Sequence, residues 1–314
     1  MNDTFSYEQK KGCTVFTFPG KTKVLSTSPL NGGITTHLMH ALNINCMNGA
    51  YECEMLGDTY EEDLRAHARE LEIDPETATA LSTAAWTELC AVEKVKYQEL
   101  SVTAAVTGGI DSNGMCPGDP SSYYERNGSY EMLPPGTINV FIYINQNLTD
   151  AAMLRALMIA SEAKASAVSH LLLGSCYSEE IATGSGTDGT VIASSMEGEL
   201  TLTDASGHSK LGELIGKVVS SAVKQALLAH NRTSNLVLCV SLYLHLMDQL
   251  RWGLIMEREA LRDGKRLLLY GLYCGQNMFL ANRYPDASWE EKVLKSFSLK
   301  EQLMYILMFY IAVS

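Results

Sequence analysis

The sequence predicts a layered sheet-and-helix domain of the α/β or α+β class, followed by an all-helical C-terminal extension. Short β-branched runs bounded by glycine or proline alternate with long stretches that repeat apolar residues at helical spacing. Beyond residue 232 the strand-like runs stop, and apolar and charged stretches of helical length take their place. We therefore expect two domains, residues 1–232 and residues 233–314, while the order of the strands stays open.

The N-terminal elements are predicted from their turns and breakers. Two strands, 14–18 and 23–28, flank a Pro-Gly pair that suits a tight turn between them. An amphipathic helix follows at 61–71, and Pro75 favours the first turn of a second helix that continues to about residue 81.

The middle of the chain combines strands with two long helices. The β-branched runs 101–106, 137–144 and 190–193 predict strands, and a long polar loop occupies 108–135. Thr149 is the predicted cap of a helix to about residue 172, which carries apolar residues on one face and alanines on the other, so we expect both faces to be buried. Ser209 is the predicted cap of a helix to about residue 229.

Composition narrows the class of protein. The 314 residues are 46% hydrophobic, enough for a substantial core. The formal net charge of −12 opposes a nucleic-acid partner, because such partners are bound by clustered lysine and arginine. The eight cysteines form no CxxC pair, the N-terminus is polar, and the longest apolar runs are shorter than the ~20 residues that span a bilayer. We expect a cytoplasmic protein that binds neither nucleic acid nor membrane.

The segment IATGSGTD, residues 181–188, is the first candidate for chemistry. Its glycines allow close backbone approach to a ligand, and Thr183, Ser185 and Thr187 are predicted to hydrogen-bond substrate amides. Asp188 is a candidate base, or orients Thr187. The ordinary alternative is that the hydroxyls and Asp188 stabilise the turn itself, and the residues alone favour that alternative for Asp188.

Three asparagines are candidate substrate-binding residues, because an amide group both donates and accepts hydrogen bonds. Asn31 stands at a strand exit beside Gly32 and Gly33, and Asn113 lies in the long loop. Asn139 lies inside a predicted strand, where a polar side chain is either a structural hydrogen-bond hub or a site residue.

Glu162 and His208 are candidate catalytic residues. Burial of Glu162 between two covered helix faces would favour its protonated form, although a solvated helical glutamate is commoner. His208 precedes a predicted helix, whose dipole disfavours a protonated imidazole; a histidine near a cap is the plainer alternative. His37 and His40 would share one helical face, but no third ligand accompanies them, so we expect no metal site.

Seven segments, taken in order, resemble the adenosylcobinamide amidohydrolase family of corrinoid salvage, over roughly residues 13–230. They are VLSTSPLNGG (24–33), LSTAAW (81–86), VTAAVTGGIDSNG (102–114), PGTINVFIYIN (135–145), SEAKASAV (161–168), IATGSGTDG (181–189) and GHSKLGELIG (207–216). The last 80 or so residues depart from the family pattern.

The resemblance implies a hydrolase that cleaves the amide between adenosylcobinamide's corrin side chain and its aminopropanol arm, giving adenosylcobyric acid. It implies that the cobalt corrinoid is a substrate and not a resident cofactor, and it favours a functional role for Asp188. Two alternatives stay open: a corrinoid-binding protein or chaperone without hydrolysis, and an amidase for an unrelated small amide. The C-terminal helices are expected to pack on the main domain, on a second copy or on another protein.

Overall fold

The computed structural model describes residues 4–46, 55–110, 112–122, 124, 136–171 and 173–230. The predicted helical extension, residues 233–314, lies outside the described residues, as does most of the second half of the long loop. None of the helices within the described ranges is both long and apolar enough to cross a membrane.

One sheet has four strands in the order β1-β2-β5-β6, with β5 and β6 parallel and the other neighbours antiparallel. Its strands are β1 (Ser6–Lys10), β2 (Cys13–Thr17), β5 (His40–Asn45) and β6 (Ala78–Thr83).

A second sheet has six strands in the order β4-β3-β13-β10-β8-β7, of which only β10 and β13 are parallel neighbours. Its strands are β3 (Thr22–Ser26), β4 (Gly33–Thr35), β7 (Ala91–Tyr97), β8 (Leu100–Gly109), β10 (Thr137–Ile144) and β13 (Gly189–Ser195). All residues of β8 and β10 are buried, as expected for central strands covered on both faces.

Two short strand pairs and three helices complete the described domain. The pair β9 (Gly114–Met115) and β12 (Gly184–Ser185) is antiparallel, and the pair β11 (Asn147–Leu148) and β14 (Thr201–Leu202) is parallel. The helices are α1 (Tyr60–Glu70), α2 (Asp150–His170) and α3 (Lys210–His230).

The described residues form four layers. Helix α1 packs on the outer face of the four-stranded sheet around Leu42, Ile44 and Leu64. The inner faces of the two sheets meet through an aromatic cluster in which Phe16 stacks on Phe141 at 4.5 Å between ring centroids. Helices α2 and α3 cover the outer face of the six-stranded sheet. The mixed sheet-and-helix class predicted from the sequence is confirmed.

The helix caps follow the sequence. The Thr149 side chain accepts from the Ala152 backbone N–H, and the Ser209 side chain accepts from that of Gly212 at 3.0 Å. Only one face of α2 is buried, however. The alanine stripe faces the core, while Leu154 and Met158 on the opposite face are 54% and 61% exposed.

Three local predictions are wrong. The strands at 14–18 and 23–28 do not form a hairpin, because β2 and β3 belong to different sheets. The helix expected from Pro75 is a single 3-10 turn, Pro75–Thr77, after which β6 pairs with β5. His37 and His40 share no helix, since His40 opens β5. Pairing with a strand more than 35 residues away overrides the local preference in this region.

Candidate active site

The IATGSGTD loop lies at one end of the six-stranded sheet. Parallel β10 and β13 begin there, and the antiparallel β8 and β3 end there. The turn after β8 is tied to this loop by the β9–β12 pair and by the Gly186 backbone N–H, which donates to the Asn113 carbonyl at 3.2 Å. Helix α2 starts near the far end of β10 and returns along the sheet, so its C-terminal half reaches the same edge.

Asp188 accepts four hydrogen bonds at this end of the sheet. Oδ1 accepts from the Ser185 hydroxyl at 2.6 Å and from the Ile138 backbone N–H at 2.9 Å. Oδ2 accepts from the Ser185 backbone N–H at 3.0 Å and pairs with the Lys164 ammonium group. The side chains of Lys164 and Asp188 are only 18% and 12% exposed. The hydrogen bond to Ile138 and the ion pair with Lys164 therefore hold the loop against β10 and α2.

Gly184 makes the close approach of this ion pair possible. A Cβ atom added at Gly184 would lie 2.3 Å from Asp188 Oδ2 and 2.7 Å from Lys164 Nζ. Both distances are far below van der Waals contact, so any larger residue would displace the pair.

Asn113 forms hydrogen bonds to three other segments of the chain at this end of the sheet. Its side chain is buried, donates to the Gly136 carbonyl at 2.8 Å and to the Thr187 hydroxyl at 3.3 Å, and accepts from the Tyr177 hydroxyl at 2.8 Å. The Thr187 hydroxyl in turn donates to the Gly136 carbonyl and pairs with that of Thr137. The structure thus brings Asn113, Ser185, Thr187 and Asp188 together, with Asn113 supporting the loops.

Asn139 is a hydrogen-bond hub between the two sheets. Its buried amide donates at 2.9 Å both to the Asn43 side chain on β5 and to the Ser82 carbonyl on β6. Asn43 donates in turn to the Thr107 hydroxyl. Of the two roles considered for Asn139 from the sequence, these contacts match the structural one.

Asn31, Gly32 and Gly33 lie beyond the end of β3, at the same end of the sheet. The Asn31 amide is engaged elsewhere, since it donates to the Pro75 and Ala78 carbonyls at 2.7 and 2.8 Å. Gly32 packs on the Ser28 carbonyl too closely for a Cβ atom, and Gly33 has a positive φ of 80°. Asn31 therefore anchors a glycine turn. Thr183 donates its backbone N–H to the Met115 carbonyl.

Two candidate catalytic residues do not join this cluster. His208 is exposed and precedes α3, after β14, which lies beyond the C-terminal ends of β10 and β13. It therefore sits at the opposite end of the sheet from Asp188. Glu162 is exposed on α2, because the helix buries only one face. The structure therefore does not bring His208 together with Asp188, and it leaves Glu162 exposed and not buried between two covered helix faces.

A neighbouring carboxylate, Asp119, organises the turn that leads from β9. The Cys116 backbone N–H and the Ser175 hydroxyl donate to it at 2.8 and 2.6 Å, and these bonds hold the pKa of Asp119 well below its usual range. Burial and the nearby carboxylate raise the pKa of the Cys116 thiol. Within the described residues, no group of three His, Cys, Asp or Glu side chains is placed to hold a metal ion.

Sequence reasoning missed two residues at this edge. Lys164 could have been found, because Glu162 and Lys164 lie two positions apart and cannot pair with each other on a helix, so Lys164 needs a distant partner. His230 ends α3, and a Cβ added at Gly109 would lie 2.7 Å from its Nε2. Its Nδ1 is buried without a hydrogen-bond partner in the described part of the chain. No local pattern marks His230.

Comparison with known proteins gives a family match and one curated relative. The model of the family described as adenosylcobinamide amidohydrolase matches residues 1–235. An uncharacterized protein, MJ1613 of Methanocaldococcus jannaschii, is 34% identical over 171 residues. That alignment covers 51% of this chain and 66% of the relative, slightly less than two thirds of its length.

Two solved structures are distantly similar. The PH0078 protein from Pyrococcus horikoshii OT3 aligns over 71% of this chain and 79% of its own, with a TM-score of 0.39 and 14% identity. A Burkholderia sp. beta-aminopeptidase aligns over 73% and 82%, with a TM-score of 0.33 and 12% identity. Both scores lie below 0.5, so neither likeness bears on the fold or the function of this chain.

Proposed function

Because the chain belongs to the adenosylcobinamide amidohydrolase family, we propose that it hydrolyses the amide that joins the corrin side chain of adenosylcobinamide to aminopropanol. The observation that carries this proposal is the family match over residues 1–235, which includes every residue of the Asp188 network. The cobalt corrinoid is the substrate in this proposal and is not a resident cofactor.

The reaction joins the oxygen of a water molecule to the amide carbonyl carbon and breaks the C–N bond. Both protons of the water end on the released aminopropanol, and the corrinoid leaves as the carboxylate of adenosylcobyric acid. Such a reaction needs donors for the developing oxyanion and a group that exchanges protons with the water and the amine.

The described edge contains groups of the required kinds. Thr187 is exposed, while Ser185 and Lys164 are partly exposed and carry hydroxyl and ammonium groups. His230 supplies an imidazole whose Nδ1 has no partner among the described residues. The turns that contain Gly32, Gly114 and Gly186 lie at the same end of the sheet, and polar turns of this kind suit a large substrate that carries many amides.

Incubation of the purified full-length chain with adenosylcobinamide tests the proposal. Mass spectrometry should detect adenosylcobyric acid and aminopropanol in equal amounts, at a rate proportional to protein concentration, and heat-denatured protein should release neither. Corrinoid that binds in equilibrium dialysis but is never cleaved would contradict hydrolysis and support the binding-protein alternative. Cleavage of simple amides with no activity on the corrinoid would support the small-amide alternative.

A further inference from the structure

We propose that Lys164 is a catalytic residue whose ammonium group binds the carbonyl oxygen of the scissile amide and stabilises the negative charge that develops there. Asp188, by contrast, is a positioning residue. The inference rests on the proposed amide hydrolysis, and it assigns a role to the one described lysine that is ion-paired to the IATGSGTD loop.

The position of Lys164 suits contact with a ligand. It lies on the part of α2 that reaches the end of the sheet where the polar loops meet, and its side chain keeps 18% of its surface exposed. A lysine ammonium has three N–H donors. One is used by Asp188 Oδ2, the only hydrogen-bond acceptor that Lys164 contacts within the described residues. Two donors therefore remain for a substrate oxygen.

Asp188 is unsuited to the role of base, because its carboxylate already accepts four hydrogen bonds. The donors are two groups of Ser185, the backbone N–H of Ile138 and the ammonium of Lys164. The arrangement fixes the ammonium group of Lys164 against a loop that is itself hydrogen-bonded to β10.

Gly184 lets the ion pair lie directly against the backbone of the loop. A Cβ atom there would lie 2.7 Å from Lys164 Nζ and 2.3 Å from the nearest Asp188 oxygen. The absence of a side chain at Gly184 therefore lets the ammonium group lie this close to the loop. A fixed cation in a partly buried site stabilises an oxyanion without reorganising, and loss of one such donor typically lowers kcat by about 100- to 1000-fold.

The test compares the variants Lys164→Gln, Lys164→Arg and Lys23→Gln with the wild type. Glutamine keeps an N–H donor for Asp188 but removes the charge, and arginine keeps the charge. Lys23 is a matched control, because it is also ion-paired, to Asp150 at 2.8 Å, and its side chain is 17% exposed. It faces the opposite end of the sheet, where it lies in register with Ser194.

We expect Lys164→Gln to lower kcat for adenosylcobinamide by about 100-fold or more while KM changes by less than about fivefold. Lys164→Arg should retain more activity than Lys164→Gln, and Lys23→Gln should match the wild type. A folded Lys164→Gln protein with kcat within about threefold of the wild type would overturn the inference, as would an equal loss in Lys23→Gln. Wild-type protein without hydrolysis would instead refute the proposed function.

A second measurement uses the unaltered chain, so it does not depend on the folding of a variant. Lysines of the wild-type protein are reductively methylated with and without saturating adenosylcobyric acid, and the labelling of each lysine is followed by peptide mass spectrometry. Bound corrinoid should slow the labelling of Lys164 at least about tenfold and leave Lys23 unchanged. Equal labelling of Lys164 in both samples would show that the ligand does not contact it.

Discussion

The Asp188 carboxylate links three separate parts of the chain: its own loop, the start of strand β10 and helix α2. Each carboxylate oxygen accepts two hydrogen bonds, so replacing either oxygen leaves two donors without their acceptor. The sequence alone predicts that Asp188→Asn lowers hydrolysis far more than stability, because the substitution removes only the charge of a turn residue. The observed contacts now predict losses of both.

We predict that Asp188→Asn lowers the free energy of unfolding by about 1–3 kcal/mol, because the new amide nitrogen faces N–H donors instead of accepting from them. It should also lower kcat, since Lys164 loses the charge that holds it. Urea denaturation and the corrinoid assay measure the two effects. Asp150→Asn is the control, and its loss should stay below about 1 kcal/mol because that carboxylate is 69% exposed. An unchanged unfolding midpoint for Asp188→Asn would contradict the prediction.

Two buried asparagines, Asn113 and Asn139, make different structural connections. Asn113 joins the turn after β8 to the IATGSGTD loop, whereas Asn139 joins β10 to the other sheet. Both side chains are nearly completely buried and hydrogen-bonded. A buried amide without partners costs free energy, so the networks have to be completed by groups distant in sequence. The sequence shows the amide but not its partners.

The strand β13 begins at Gly189 in a tightly packed position. A Cβ atom there would lie 2.7 and 2.8 Å from the two methyl carbons of Leu81 and 3.0 Å from the Asn139 side-chain oxygen. Helix α3 contains a contrasting glycine, Gly216, which has no atom within 4 Å of the position of an added Cβ. Alanine at Gly189 therefore tests the cost of a steric clash, whereas alanine at Gly216 tests the effect of backbone entropy without a clash.

We predict opposite effects of alanine at these positions. Gly189→Ala should lower the free energy of unfolding by about 1–3 kcal/mol, since Leu81 and Asn139 must move. Gly216→Ala should raise it by up to about 1 kcal/mol, because alanine favours the helix without a clash. Urea titration of both variants tests the prediction, and a destabilised Gly216→Ala protein would show that the helix tolerates no side chain there.

Helices and strands differ in how well the sequence predicts them. The caps and apolar spacing of α2 and α3 are local, so both helices were predicted to within two residues. The strands β5 and β6 were missed, because their stability comes from pairing with each other and with β2 across long stretches of chain. The proline at 75 starts a 3-10 turn and does not reveal that a strand follows.

The whole chain carries a C-terminal segment whose structure lies outside the described residues. Its sequence contains apolar stretches that are interrupted by His245, Arg251, Asp263 and Arg283. Stretches of this kind are too short and too often charged to span a bilayer, and they suit burial on a protein surface. The family match, residues 1–235, ends within the first three residues of this segment.

We predict that deletion of residues 233–314 exposes apolar surface and causes aggregation or the loss of an oligomer. Size-exclusion chromatography with light scattering compares the truncated and full-length proteins, and thermal unfolding compares their stability. A truncated protein that remains soluble, monodisperse and equally stable would contradict the prediction. Recovery of the full-length protein only in membranes would contradict it as well.

The sequence by itself determined the class of fold, the two long helices with their caps, and the polar loop that ends at Asp188. These features depend on neighbours within a few residues, and periodicity or turn chemistry records them directly. Tertiary structure decided which groups meet. It paired Asp188 with Lys164, placed His208 at the other end of the sheet, left Glu162 in solvent and brought His230 over Gly109. The pairing of β10 with β13 and the packing of α2 and α3 on the sheet set these positions, and no local pattern in the sequence records such long-range contacts.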